Sequence, residues 1–186
     1  MPAHEQKTDL MLMADAAKGD AEAFGILARR HGQYMFALAY RMLGDRMQAE
    51  DAVQDVLVKI WTSAPNWRQT DAKWTTWMHT VMVRHCLDML RRRRPTVQAD
   101  DVDLSDERPS PLRQAMDNQR RMRVAAALQT LPDQQRAAVV LTYYHGLSNA
   151  EVASVLGSTV RAVESLLVRG RKHLRDHIGQ GWEEQI

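Results

Sequence analysis

The sequence predicts an all-α protein of two small helical domains, joined by a flexible acidic linker, with a helix-turn-helix in the second domain. Apolar residues recur at spacings of three and four, as on one face of a helix. The alternation typical of strands is nowhere sustained, and there are only 9 Gly and 6 Pro among 186 residues. The predicted division is an N-terminal segment 1–19, a first domain 20–95, a linker 96–112, a second domain 113–178 and a tail 179–186.

Composition excludes several classes of protein. The formal net charge of +2 is too small for a bulk polyanion binder, so any affinity for nucleic acid depends on where the charges lie. Cys86 is the only cysteine, which excludes an internal disulfide and a cysteine metal cluster. No apolar run has the length of a membrane span, and the N-terminus lacks a signal pattern. A cytoplasmic protein is expected.

The first domain is predicted to contain four helices after a short helical turn from Asp9 to Ala17. Asp20 caps a helix that ends near Gly32, and a second helix continues to Gly44. The third runs from about Met47 to Thr62. The fourth begins at Ala72, after a loop from Ser63 to Asp71, and Pro95 stops it.

The third helix is amphipathic, and its polar face is acidic. Asp51 and Asp55 are four residues apart, a like-charge pair that costs an isolated helix about 0.2–0.5 kcal/mol. One interpretation is a solvated face, partly balanced by Lys59; the other is a docking face for a basic partner. The face comprises Glu50, Asp51, Gln54 and Asp55.

The fourth helix ends in a run of arginines. Arg91 to Arg94 suit the negative end of the helix dipole, so a solvated helix end is one reading. Contact with phosphates is favoured, because crowded like charges repel unless an anion is present. Lys73, His79 and Arg84 are expected to add to the basic character of this helix.

The linker is acidic, and its composition is that of a tether. Five carboxylates lie among Pro and Ser residues: Asp100, Asp101, Asp103, Asp106 and Glu107. A helix is then predicted from Arg113 to Gln129, and another from Pro132 through Tyr144, which packs behind the helix-turn-helix.

The helix-turn-helix is the most informative stretch. Ser148 and Glu151 form a capping-box pattern, and Gly157 can end the first helix in the left-handed conformation. A second helix follows from about Ser158 or Thr159, with a buried stripe of Val160, Val163, Leu167, Gly170 and Leu174. Its other face carries Arg161, Ser165, Arg169 and Lys172. Such a basic second helix is suited to a major groove, although an ordinary helical hairpin has the same pattern.

The whole pattern resembles an extracytoplasmic-function sigma factor of the sigma-70 family, from about Asp20 to His177. Residues 49–61 resemble region 2.2, residues 74–92 resemble regions 2.3 and 2.4, and residues 131–175 resemble region 4. The resemblance implies a factor that binds core RNA polymerase, through the β′ clamp helices and the β subunit, and recognises and melts promoter DNA. It also implies an anti-sigma factor as a partner, often a membrane-bound one.

The same resemblance implies three sets of site residues. Polymerase binding falls to Glu50, Asp51, Gln54 and Asp55. The minus-10 element falls to Asn66, Trp67, Lys73, Trp77, Arg84, Arg91, Arg92 and Arg93. The minus-35 element falls to Thr159, Arg161, Ala162, Ser165, Arg169, Arg171 and Lys172.

Three positions depart from the family pattern. Arg84 stands where Asn is usual, with an Arg84–Asp88 pair along the helix as the structural explanation. Glu164 and Leu166 stand where basic residues are frequent. Because Glu can accept from a cytosine amino group, a different minus-35 preference is expected.

The residues give less support to two other functions. A stand-alone helix-turn-helix regulator requires a dimerisation face and a ligand pocket, for which the sequence gives no signal. A small helical enzyme requires a nucleophile with a base or a metal cluster, whereas the histidines are scattered. No cofactor, metal or small-molecule substrate is expected.

Overall fold

The computed structural model describes residues 7–66, 74–93 and 122–179, and these residues form helices without a strand. The first half contains α1 (Asp9–Ala16), α2 (Ala21–Leu43), α3 (Arg46–Ser63) with a 3-10 turn at Ala64–Asn66, and α4 (Trp74–Arg93). The second half contains α5 (described over 122–129), α6 (Asp133–Val139) continued by a π turn (Val140–Tyr144), α7 (Asn149–Leu156) and α8 (Val160–Ile178). The predicted all-α class is confirmed.

Helix α2 is one continuous helix, so the predicted break at Gly32 is wrong. Leu27, Met35 and Leu38 form a buried stripe that runs across Gly32 without interruption. A glycine inside a helix costs about 1 kcal/mol, whereas each buried side chain contributes about 1.5–3 kcal/mol. The stripe therefore outweighs the glycine, and α2 ends only at Gly44, which has φ +73°.

The remaining boundaries agree with the sequence within a residue or two where they can be compared. Helix α1 coincides with the predicted turn, and α3 extends the predicted helix by one residue at each end. The linker 96–112, the first part of the helix from Arg113 and the tail from 180 onward lie outside the described residues.

The two halves pack against each other. Helices α2, α3 and α4 enclose the first core. Helix α6 packs against α8 and its π turn contacts α7, so the helix from Pro132 through Tyr144 lies behind the helix-turn-helix, as expected. Helix α7 lies against α4, and the C-terminal part of α2 contacts α5, α6 and the π turn. The buried apolar residues form one continuous cluster through both halves.

Candidate nucleic-acid and protein interfaces

The turn that orients α8 is built by side-chain caps. Ser148 Oγ accepts from Glu151 N at 3.3 Å, while the Glu151 carboxylate accepts from Ser148 N at 2.9 Å. Gly157 ends α7 with φ +61°, a conformation that other residues rarely adopt. Thr159 Oγ1 then accepts from Ala162 N at 3.2 Å and starts α8. Thr159, a predicted minus-35 residue, thus also has a structural role.

The buried side of α8 fixes its distance from α6. Val163, Leu167, Gly170 and Leu174 are buried, as predicted. A Cβ on Gly170 would lie 2.8 Å from Val139 Cγ2, so only glycine permits this close approach. Val160 is 43% exposed, which contradicts its predicted place in the stripe. Helix side chains point toward the N-terminus, so Val160 projects past the first turn.

The outer side of α8 is basic and accessible. Arg161, Ser165, Arg169 and Lys172 are exposed, as predicted, whereas Ala162 and Arg171 are half-buried. Ser165 Oγ donates to Arg161 O at 3.1 Å, and Arg169 Nε donates to Ser165 O at 3.2 Å.

Val168 lies between these polar side chains and is 56% exposed. The sequence analysis missed it, although its place three residues after Ser165 and four before Lys172 puts it on the same face. An exposed valine among basic residues offers an apolar contact for a thymine methyl group.

The C-terminal end of α4 presents its arginines to solvent. Arg91, Arg92 and Arg93 are exposed; Arg91 pairs with Asp88 at 3.0 Å, and Arg93 Nη1 donates to Leu43 O at 3.4 Å. The expected Arg84–Asp88 pair is not formed, because Asp88 pairs with Arg91 instead. Arg84 is instead near the helix-turn-helix, since a Cβ on Gly157 would lie 3.9 Å from its Nη2.

His79 does not belong to the basic surface of α4, and that expectation is wrong. It is 4% exposed, and its Nε2 lies 2.8 Å from Tyr34 Oη. Burial lowers the pKa of His79, so the ring is neutral at pH 7. Helical spacing correctly predicted that His79 belongs to α4. It could not predict burial, because the partner, Tyr34, is far away in the sequence.

The structure describes two of the four residues predicted to hold an unstacked base of the minus-10 element. Trp77 is half-buried and packs on Trp74, with ring centroids 5.3 Å apart. Asn66 is exposed at the end of the 3-10 turn. Trp67 and Lys73 lie outside the described residues.

The polar face of α3 is exposed at all four predicted positions: Glu50, Asp51, Gln54 and Asp55. Two apolar side chains that the sequence analysis missed flank this face, Met47 at 74% and Val58 at 62% exposure. The acidic face thus has an exposed apolar side chain at each end.

Lys59 does not simply balance Asp55 along α3. Its Nζ lies 2.6 Å from His85 Nδ1, and His85 Nε2 lies 3.3 Å from Asp55 Oδ2. Burial first, and then the charge of Lys59, lower the pKa of His85. A neutral His85 accepts from Lys59 through Nδ1, while its Nε2 lies near Asp55 without a hydrogen bond among the described residues. His85 therefore lies between Lys59 and Asp55 and separates the two charges.

Within residues 7–66, 74–93 and 122–179, no three His, Cys, Asp or Glu side chains are grouped to hold a metal ion. None of the helices described there is long and apolar enough to cross a bilayer.

Comparisons with known proteins agree with this arrangement. Residues 27–96 match the model of sigma-70 region 2, and residues 121–174 match that of sigma-70 region 4. The chain is 35% identical to the ECF RNA polymerase sigma factor SigM of Mycobacterium tuberculosis over 176 residues, which are 94% of this chain and 86% of SigM. The chain is an extracytoplasmic-function sigma factor.

Other relatives of this sigma factor are similar over different lengths. It is 34% identical to SigE of Mycolicibacterium smegmatis over 83% of its own length, but spans only 61% of SigE. The structure of CnrH with the cytosolic domain of CnrY has a TM-score of 0.67 at 31% identity, covering 90% of this chain and 95% of that one. CnrH of Cupriavidus metallidurans is an RNA polymerase sigma factor.

One buried guanidinium organises the second half of this sigma factor. Arg136 is 5% exposed. Its Nε donates to Leu128 O at 2.9 Å, and its Nη2 donates to Gln129 O at 2.8 Å and Leu131 O at 3.1 Å. Its Nη1 donates to Met42 O at the end of α2. The sequence showed only that Arg136 matches the family, not that it joins α5 to α2.

Proposed function

We propose that this sigma factor binds core RNA polymerase through the exposed acidic face of α3 and reads promoter DNA with α4 and α8. The observation that carries this assignment is the order of the two sigma-70 regions, 27–96 and 121–174, each with an exposed helix of the required charge. Promoter recognition and melting by a bound factor require no covalent step. The factor therefore acts by binding alone, in the cytoplasm, without a cofactor or substrate.

The assignment for the minus-35 element rests on the outer face of α8. Arg161, Ser165 and Arg169 are placed on base edges and nearby backbone, because the N-terminal part of a recognition helix enters the major groove. Arg171 and Lys172 are placed on phosphates, which position the protein without reading sequence. Thr159 and Ala162 complete the contact at the start of the helix.

The assignment for the minus-10 element rests on α4 and the turn before it. The exposed Arg91, Arg92 and Arg93 hold phosphates, and Arg84 contributes to readout from the middle of the helix. Trp77, with the predicted Asn66, Trp67 and Lys73, supplies the aromatic and polar surface for an unstacked base. Stacking on an aromatic contributes about 1–3 kcal/mol per base.

Regulation is proposed to come from an anti-sigma factor. CnrH has been solved with the cytosolic domain of CnrY, and this chain resembles CnrH over nearly its whole length. An anti-sigma factor that covers α3 and α4 would block polymerase and DNA together. Anchoring that partner in a membrane would allow it to respond to extracytoplasmic signals.

The polymerase assignment is tested by charge reversal on α3. An Asp51→Arg/Asp55→Arg variant should bind core polymerase at least tenfold more weakly, because the acidic face then repels a basic partner. The matched control is Glu22→Arg/Asp176→Arg, which makes the same charge change at exposed acids of α2 and α8. Equal affinity for the reversed variant and the control would refute the role of this face.

The DNA assignment is tested by salt dependence and promoter variants. Arg161→Ala should lose discrimination at one minus-35 base pair, by about 5- to 150-fold for a contact of 1–3 kcal/mol. Lys172→Ala should weaken all promoters alike and lower the slope of log K against log salt by about 1. If the two variants behave identically across promoter sequences, the division into base and phosphate contacts is wrong.

A further inference from the structure

Helix α3 has two pairs of opposite charges at a spacing of four residues, and only one of them forms an ion pair. Arg46 Nε donates to Glu50 Oε1 at 3.1 Å. Asp55 and Lys59 have the same spacing, with the acid before the base, which is the better order on a helix. Among the described residues, however, no ion pair joins Asp55 to Lys59. Because the less favourable pair forms and the more favourable one does not, another group must compete for Lys59.

The competing group is His85 of α4. Lys59 Nζ lies 2.6 Å from His85 Nδ1, and His85 is only 8% exposed. An ammonium group can only donate, so His85 Nδ1 must accept, which requires a neutral ring. Burial first, and then the charge of Lys59, lower the pKa of His85, so the ring is neutral at pH 7. The Lys59 side chain is therefore held by the neighbouring helix.

The same ring lies between Lys59 and Asp55. His85 Nε2 is 3.3 Å from Asp55 Oδ2, and this nitrogen is buried without a hydrogen bond among the described residues. The two ring nitrogens thus face opposite charges, and the imidazole keeps the ammonium away from the carboxylate. The Asp55 side chain remains 66% exposed.

An unpaired carboxylate binds a basic partner better than a paired one does. A carboxylate that already holds a lysine must release it before it can accept a new cation, and that release subtracts from the binding free energy. A positive charge beside the acidic face also weakens the attraction of a basic partner. Asp51 and Asp55 form the centre of the face assigned to polymerase, so the position of Lys59 bears directly on that assignment.

We propose that His85 is a positioning residue for polymerase binding, which holds the Lys59 ammonium on α4 so that Asp55 stays available to a basic partner. This inference rests on the proposed function, because the partner is the surface of core polymerase that meets α3. His85 itself is buried and makes no contact with polymerase.

Protonation of His85 reverses the effect. The charged groups that face the ring are Lys59 and Asp55 from α3, and Asp88 and Arg92 from its own helix. A charged ring cannot accept from Lys59, and its own charge then lies 3.3 Å from Asp55. Because the pKa of His85 lies below 6.5, the ring is neutral at pH 7.5, and polymerase affinity should fall as the pH is lowered below 6.5.

Two substitutions of His85 separate positioning from packing. His85→Phe keeps an aromatic ring but removes the acceptor, whereas His85→Asn can place an amide oxygen where Nδ1 lies. The full-length variants are titrated with core RNA polymerase at low salt, where exposed charges are least screened. His85→Phe should bind about 1.4- to 2.3-fold more weakly, the factor that corresponds to a helical ion pair between Lys59 and Asp55. His85→Asn should bind like the wild type at pH 7.5, and equal affinities for the Phe and Asn variants would overturn the proposal.

Removal of Lys59 provides the matched rescue. Lys59→Met should strengthen binding more in the His85→Phe background than in the wild type, by the same 1.4- to 2.3-fold, because only there is Lys59 free to pair with Asp55. Lys18→Met is the control, since it makes the same charge change at an exposed lysine outside α3. An equal effect of Lys59→Met in both backgrounds would overturn the proposal.

A pH titration of the free protein tests the contact without polymerase. Lys59→Met should raise the pKa of His85 in an NMR titration, because the charge of Lys59 lowers it, and Lys18→Met should not. Lys59 is exposed, so its removal leaves the core intact. An unchanged pKa of His85 in Lys59→Met would overturn the proposal. So would parallel losses of polymerase affinity between pH 7.5 and pH 5.5 for the wild type and His85→Asn. If the wild-type protein does not bind core polymerase at all, the proposed function fails, and the NMR titration still decides whether His85 holds Lys59.

Discussion

The close contact between α8 and α6 predicts that Gly170→Ala destabilises the protein, against the usual preference of helices for alanine. Alanine in place of glycine normally gains about 1 kcal/mol in a helix interior. Here the new Cβ would lie 2.8 Å from Val139 Cγ2, whereas non-bonded carbons prefer about 3.5–4.0 Å. Val139 is fully buried and β-branched, so it has little freedom to move. Overpacking of this kind costs about 1–3 kcal/mol.

The expected net effect is a loss of about 1 kcal/mol in the free energy of unfolding, measured by urea denaturation, or about 2–4 °C in Tm. Val139→Ala removes the colliding methyl groups, so Gly170→Ala should stabilise the protein by about 1 kcal/mol in that background. This change of sign corresponds to a coupling free energy of about 1–3 kcal/mol between positions 139 and 170. If Gly170→Ala stabilises both backgrounds equally, the two helices are not held at this distance by glycine.

Three further predictions follow from buried groups. Arg136→Ala should lower the free energy of unfolding by about 3–5 kcal/mol, measured by urea denaturation, because four carbonyls, three of them in buried contacts, lose a charged donor. An effect below about 1 kcal/mol would contradict this role of Arg136. Cys86 should resist maleimide labelling at pH 8 until the protein unfolds, as its thiol is 0% exposed and its pKa is raised to about 12. Burial lowers the pKa of His145 from 6.5 to about 3, so the stability that its neutral ring contributes is complete above pH 6.5 and falls as pH falls. Urea denaturation should show an equilibrium constant for unfolding about tenfold larger at pH 5.5 than at pH 7.5 from this residue; a His145→Ala variant should lose this part of the pH dependence, and a His177→Ala variant should keep it.

Much of the fold could be predicted because its signals are local. The capping box at Ser148 and the left-handed Gly157 are set by neighbouring residues, and the structure has both. The exposed face of α3 follows from helical periodicity alone. Where a local signal competed with packing, the prediction was wrong: Gly32 indicated a break, but burial of Leu27 and Met35 carried α2 through it.

Several contacts between helices could not be predicted, because periodicity gives the face of a residue but not its partner. His79 looked like part of a basic helix, yet Tyr34 and His145, which are distant in the chain, bury it. Lys59 was expected to balance Asp55 on its own helix, and His85 of α4 lies between them. Contacts of this kind depend on which helices meet.

Run-off transcription on a library of templates tests whether this chain redirects RNA polymerase. With core polymerase, the wild-type protein should produce discrete starts that share a minus-35 and a minus-10 element, and the Asp51→Arg/Asp55→Arg variant should not. This function would be contradicted if the wild-type protein bound a defined DNA site tightly by itself and never changed where polymerase starts. That result would identify a free-standing helix-turn-helix regulator.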